Sequence, residues 1–226
     1  MVTKSTAGRT RRFLLFLILF GPALILIFIS TRGCTHKFKI LEDYGKVASY
    51  AFVDGEGKER SNKEFKGNIV LINTLQPSCP DSCALSFWHL DQLIYQHVRK
   101  NKKKLGSVRI ISFVTDGEGN SLKDLSAVRD MIKDNVEEYD PEVWMIASGD
   151  PKAIFDMTSN GQNLLEEGEE FFGGNAYQEL QLLVDTKNHL RMVLPGDSEG
   201  MIRRMKEHVA LLLKQYDKEK ASAKKK

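Results

Sequence analysis

A seven-residue apolar run, Ile69-Val70-Leu71-Ile72-Asn73-Thr74-Leu75, leads through Gln76-Pro77-Ser78 into Cys79-Pro80-Asp81-Ser82-Cys83. An amphipathic stretch from Ala84 to Val98 follows. The run has the length of a buried strand, and Leu85, Trp88, Leu93 and Ile94 fall close to helical spacing. The two thiols therefore stand where a strand gives way to a helix. Pro80 suits the first helical position, where its missing N–H costs nothing. Cys79 is then the N-cap, beside unpaired N–H groups and the positive end of the helix dipole, a setting that favours the thiolate. Cys83 comes one turn later, roughly 6 Å away between Cα atoms, which is within disulfide range. Such a pair can exchange electrons, hold a soft metal ion or form a structural disulfide. The last would close so short a loop that it adds little stability.

The chain of 226 residues is long enough for one ordinary domain plus a tail. Apolar residues at 42% and charged residues at 28% mark it as globular rather than disordered. A net charge of +3 gives no sign of a nucleic-acid-binding surface. Arg99-Lys100-Asn101-Lys102-Lys103-Lys104 reads as a solvated loop and Lys224-Lys225-Lys226 as a frayed end. Three cysteines, Cys34, Cys79 and Cys83, exclude a disulfide-rich scaffold.

The amino terminus sets the compartment. Lys4, Arg9, Arg11 and Arg12 precede an uncharged apolar run from Phe13 to Ser30, near the lower limit of about 17–25 residues for a spanning helix. The basic cluster keeps residues 1–12 cytoplasmic and places everything after the run outside. The run is longer than a usual signal-peptide core and no A-x-A site follows, so an uncleaved anchor is preferred to a signal peptide. Residues 31–45 read as a linker, in which Cys34 is a poor match to a lipoprotein cysteine and is read as a free thiol or one that pairs between chains. A bacterial periplasmic domain is the favoured location.

The folded domain is expected over residues 46–215, with a charged, disordered tail at 216–226. Its expected order is a strand near Tyr50–Val53 and a hairpin turn, the strand 69–75, the cysteine helix, and a strand at Val108–Val114. Then come a helix from Ser121 to Asn135, a strand at Val143–Ile146 and a helix from Pro151 to Ser159. An acidic loop, 161–174, leads to a hairpin of Glu179–Asp185 and Leu190–Leu194, and a last helix runs from Ser198 to Tyr216. Early strand–helix alternation implies parallel pairing, and the late hairpin adds antiparallel strands. This α/β order, a mixed central sheet flanked by helices with a dithiol after the first central strand, resembles a thioredoxin-like fold behind an N-terminal transmembrane helix.

Lys66-Gly67-Asn68-Ile69-Val70-Leu71-Ile72 leading to the Cys79–Cys83 motif is similar to the Sco/SenC proteins. So are Val114-Thr115-Asp116 at a strand end and Val184-Asp185 at a hairpin turn. The resemblance spans roughly residues 46–213. It implies delivery of copper, or of electrons, to the dinuclear copper site of cytochrome c oxidase, with Cys79 and Cys83 as two copper ligands and a respiratory oxidase subunit or another cuproprotein as partner. The family's third ligand, a histidine before the late hairpin, has no counterpart: Gly173-Gly174-Asn175-Ala176-Tyr177-Gln178-Glu179 stands there, and no third ligand is identified. His189 is expected over 20 Å away at the far end of the strand, His89, His97 and His208 are read as helix residues that do not join the dithiol, and His36 in the linker stays open as a ligand. Losing the histidine while keeping both thiols gives weight to a dedicated thiol–disulfide oxidoreductase without copper, in which Cys79 attacks and Cys83 resolves. No proline lies between Pro151 and Pro195 to serve as the cis-proline of a general thioredoxin-type reductase. A peroxiredoxin-type match is poor. Phe87, Trp88 and Trp144 are expected in the core, and Asp116 is read as either a loop-positioning or a capping residue.

Overall fold

The computed structural model describes residues 7–33, 40–77, 81–159, 162–163 and 177–223. Cys34, His36, Cys79, Pro80 and the acidic Glu166–Glu170 lie outside the described residues, as does the side chain of Cys83. Two units are present, Met1–Lys39 and Ile40–Lys226.

The first contains one helix, α1 (Ala7–Gly33), with Pro22 inside it. Its Leu15–Leu19 and Leu24–Phe28 side chains are exposed. No helix among the described residues is long and apolar enough to cross a membrane.

The second unit holds a seven-stranded mixed sheet. In chain order, β1 (Ala51–Asp54) and β2 (Glu59–Ser61) form a hairpin, and a 3-10 turn at Asn62–Phe65 leads to β3 (Ile69–Leu75). The cysteine helix comprises α2 (Asp81–His89), a π-helical stretch at Leu90–Tyr95 and α3 (Gln96–Lys100). A helical turn, α4 (Lys102–Leu105), stands where the sequence suggests a loop. Then come β4 (Val108–Val114), α5 (Ser126–Asn135), β5 (Trp144–Ser148), the single turn α6 (Lys152–Phe155), and the two-residue strands β6 (Thr158–Ser159) and β7 (Gln162–Asn163). The hairpin β8 (Leu180–Val184) and β9 (Leu190–Pro195) precedes α7 (Glu199–Ala223). The sheet order is β2-β1-β5-β4-β3-β8-β9, with β3, β4 and β5 parallel and the outer pairings antiparallel. This is the expected mixed sheet flanked by helices.

The three parallel strands are covered on both faces, so they read as continuous apolar runs rather than alternating ones; every residue of β3 is buried. On one face Leu71, Ile110 and Trp144 meet Leu90 and Ile94 of the cysteine helix, Ile132 of α5 and Met205 of α7. On the other, Ile72, Phe113 and Leu182 meet Phe52, Phe65 and Phe155. Both cores are built wholly within Ile40–Lys226, which therefore carries everything it needs to fold alone.

Three helix boundaries differ from the sequence reading. The helix expected from Pro151 to Ser159 is only the turn α6, and Thr158–Ser159 pairs as β6 instead. Ser121 does not cap α5; it bridges to Thr115, and its hydroxyl accepts the Gly149 N–H, so the helix starts at Ser126. The last helix continues past Tyr216 to Ala223, because Lys218, Glu219, Lys220 and Ala221 favour helix and Gln215 reaches Glu219 one turn on.

Candidate dithiol site

The cysteine motif follows the carboxyl end of β3, and the described part of its helix begins at Asp81, which places the Cys83 backbone in the first described turn. The surroundings of this end are well defined. A cleft of about 170 Å³ opens between the end of β3, helix α2 and the start of β8, lined by Asn73, Thr74, Ser86, Phe87, Gln178 and Gln181 among others.

Beneath α2 a chain of buried hydrogen bonds crosses the sheet. Trp144 Nε1 donates to Ser112 Oγ (2.9 Å), Ser112 Oγ donates to Asn73 Oδ1 (2.8 Å), and Asn73 Nδ2 donates to the Thr74 carbonyl (3.1 Å). The β3–β8 register pairs Ile72 with Leu182. Asn73 and Gln181, each one residue nearer the site, therefore share the opposite face. Gln181 is 3% exposed, and its Oε1 has no partner among the described residues. Phe87 lies on this floor, its ring 5.2 Å from that of Trp144.

The segment before β8 is tied to the β4 end. Thr74 Oγ1 donates to the Gln178 carbonyl (2.6 Å), Gln178 Nε2 donates to the Asp116 carbonyl (3.3 Å), and the Tyr177 hydroxyl donates to the Gly119 carbonyl (2.9 Å). Burial raises the Tyr177 pKa, so the phenol stays protonated and remains a donor. Asp116 does what both readings of it proposed. Its carboxylate accepts the N–H groups of Asn120 and Glu118, which holds its pKa below the usual carboxylate range, while its carbonyl receives Gln178. Gly119 sits at φ +79°, and a Cβ there would fall 2.0 Å from the Tyr177 oxygen, so the turn requires glycine.

The histidines are dispersed. His189 lies in the β8–β9 turn against Asp43, at the other end of the sheet. His208 is buried on α7, its Nδ1 2.6 Å from the Arg204 carbonyl. His97 is on α3 beside Asn101. His89 is buried rather than at the surface, and its Nδ1 has no partner among the described residues. No three His, Cys, Asp or Glu residues converge on a metal position among the described residues. Trp144 and Phe87 pack as expected, but Trp88 does not: it is 55% exposed on α2 beside Leu85 at 52%, because the core-facing stripe of the helix is occupied by Phe87, Leu90 and Ile94.

A family model described as SCO1/SenC matches residues 40–207. The chain belongs to this family. Among solved structures it resembles BsSco, a member of the Sco family of cytochrome c oxidase assembly proteins in which a disulfide switch has been identified. The TM-score is 0.55 at 17% identity, over 79% of this chain and 99% of that one. It also resembles a SCO1/SenC family lipoprotein of Bacillus anthracis, with TM-score 0.52 at 19% identity, over 74% of this chain and 96% of that one. At such identities the likeness concerns the fold. Comparison with curated proteins gives no match.

The Sco-type scaffold of this chain thus carries three features that sequence reading missed: the Asn73–Ser112–Trp144 chain, the Thr74–Gln178–Asp116 tie and the Tyr177–Gly119 clamp. The first had a visible signal, a lone Asn in an otherwise apolar strand. The other two join residues about 60 to 100 positions apart and leave no local pattern.

Proposed function

We propose that this Sco-type protein is a dedicated thiol–disulfide partner of the copper site of cytochrome c oxidase, working through Cys79 and Cys83. The observation that carries the reading is the state of the two residues standing where the family resemblance places a ligand histidine. Tyr177 and Gln178 both spend their polar groups on backbone carbonyls, and a neutral phenol and an amide are poor partners for a soft metal ion. The described residues therefore supply no third copper ligand. Thiol exchange requires only the two cysteines. The Cys79 thiolate attacks a disulfide of the partner and forms a mixed disulfide, releasing one partner thiolate. Cys83 then attacks Cys79 and frees the second. The partner gains two electrons as a dithiol, and this chain is left with a Cys79–Cys83 disulfide that a reduced dithiol protein must restore. The disulfide switch identified in the similar BsSco supports a redox role for the pair.

The second reading, copper delivery with Cys79 and Cys83 as two thiolate ligands, is favoured by family membership. In either reading the protein is held at the membrane by its amino-terminal helix, with residues 1–12 cytoplasmic and the domain outside, on the periplasmic side of a bacterial inner membrane. The support is the uncharged run Phe13–Ser30 behind four basic residues.

The test is to mix the reduced chain with the oxidised copper-binding domain of the oxidase and follow thiols by mass. Transfer of two electrons, blocked in Cys79→Ser and trapped as a mixed disulfide in Cys83→Ser, is expected. No transfer, together with one copper(I) bound in competition with a chromogenic chelator, would replace this reading with the copper one.

A further inference from the structure

The end of the domain opposite the dithiol carries a groove of about 1070 Å³. Lys103 and Lys104 of α4, Lys187 of the β8–β9 turn, and Lys214 and Lys220 of α7 all line it. These five lysines come from three separate stretches of sequence, and only Asp217 and Glu219 oppose them among the lining residues. Lys103, Lys104, Lys187 and Lys220 have no ion-pair partner among the described residues. A fold that scatters charge for solubility pairs or intersperses it; this one gathers it. Burial and the charge of Lys206 also lower the pKa of His97, another lining residue.

The same end receives the chain from the amino-terminal side. Tyr44 N–H donates to the Leu190 carbonyl, Val47 N–H to the Asn188 carbonyl, and Arg191 to the Leu41 carbonyl. The first residues of the domain are thus tied along the β8–β9 turn that also contributes Lys187. Only residues 34–39 separate Gly33, the last residue of α1, from Ile40.

We propose that this basic end is a docking surface for anionic phospholipid headgroups, resting on the bilayer while the dithiol end stands further out by the length of β3, about 20 Å. The inference takes the identity of the surface from the anchor reading, and the charge cluster gives it its own test. Each lysine near an anionic bilayer adds about a fivefold gain in partitioning.

The Ile40–Lys226 unit lacks α1 and carries both cores, so its binding reports on the groove alone. It is sedimented with phosphatidylcholine vesicles with or without about a third phosphatidylglycerol. Binding is expected only to the anionic vesicles, with release at about 0.5 M salt. Lys103→Gln, Lys104→Gln and Lys187→Gln are each expected to weaken it about fivefold, and the three together about a hundredfold. The charge-matched triple Lys123→Gln/Lys133→Gln/Lys152→Gln should bind as the parent does, with circular dichroism checking that every variant is folded. Binding to neither vesicle, equal binding to both, or equal loss in the control triple would overturn the proposal. Alkaline extraction of the full chain from membranes tests the anchor separately, so the two readings can fail independently.

Discussion

Ser112→Ala is a small deletion with a large expected cost. Ser112 is fully buried, accepts the Trp144 indole N–H at 2.9 Å and donates to Asn73 Oδ1 at 2.8 Å. Removing the hydroxyl leaves one buried donor and one buried acceptor unpaired, and each such group costs about 1–3 kcal/mol. The sum is about 2–6 kcal/mol, whereas a serine hydroxyl at the surface is worth under about 0.5 kcal/mol. With an m-value of about 2 kcal/mol per molar urea, the midpoint should fall by about 1–3 M. Urea denaturation of the Ile40–Lys226 unit, followed by circular dichroism, measures this. The cycle with Trp144→Phe separates the hydrogen bond from packing, and the double variant should be more stable than additivity predicts by about 1–2 kcal/mol. Because Phe87 of α2 lies on Trp144, amide exchange in α2 should quicken in Ser112→Ala. A midpoint shift below about 0.25 M, or strict additivity, would refute the buried chain as a supporting floor of the site.

Other perturbations probe separate parts of the molecule. Trp88→Ala should change stability by less than about 0.5 kcal/mol, since the ring is 55% exposed. It should nevertheless slow exchange with the oxidase partner, because exposed tryptophans often anchor interfaces; an unchanged rate would remove Trp88 from the docking face. Gly119→Ala should cost at least about 1–3 kcal/mol, because its φ of +79° and the Tyr177 hydroxyl both reject a Cβ, and thermal unfolding reads this directly. Asp54 and Glu142 both grip Arg60. Burial pushes the Asp54 pKa up, but hydrogen bonds from Lys58, Arg60 and Glu56 outweigh it, and the net shift is downward. Glu142 is lowered chiefly by its hydrogen bond to Arg60. Carboxylates with depressed folded pKa values stabilise above the unfolded pKa of about 4 and lose that contribution as pH falls through the folded values. Arg60→Gln should therefore be least stable relative to the parent near neutrality, the gap closing in acid; a gap independent of pH from 6 to 3 would contradict the ion-pair account.

What the sequence made legible was the part written in local pattern. Ile69–Leu75 and Val108–Val114 are strands because mainly apolar runs of that length without alternation are covered on both faces, and they are β3 and β4. Their parallel pairing, and the addition of antiparallel strands by a late hairpin, followed from segment order; that the hairpin joins the sheet at β3 did not. Ser121 misled because a cap signature is short, and the same hydroxyl can equally accept a distant N–H, here that of Gly149. Trp88 misled because apolar character was taken as burial, while the helix had already filled its inward stripe with Phe87, Leu90 and Ile94. Around the dithiol, the Thr74–Gln178 and Tyr177–Gly119 bonds exist only once β3, β4 and β8 are side by side. No spacing rule encodes them.

The π-helical stretch Leu90–Tyr95 interrupts the helix between the motif and the core-anchored α3. A π turn holds more residues than an α turn over the same hydrogen-bonded span, and it typically arises as a single-residue insertion. Its wide turn acts as a phase adjuster, allowing the amino-terminal part of the helix to be indexed independently of the part fixed by Ile94, Tyr95 and Val98. Deleting one residue within it would let the helix close into a continuous α spiral, and everything upstream would turn by about 100°. Trp88 would then leave its present orientation, and the Cys83 backbone would move with it, although no residue of the motif had been altered. The aim of the proposed dithiol is thus set about two to four turns away from the cysteines, by residue count rather than residue identity.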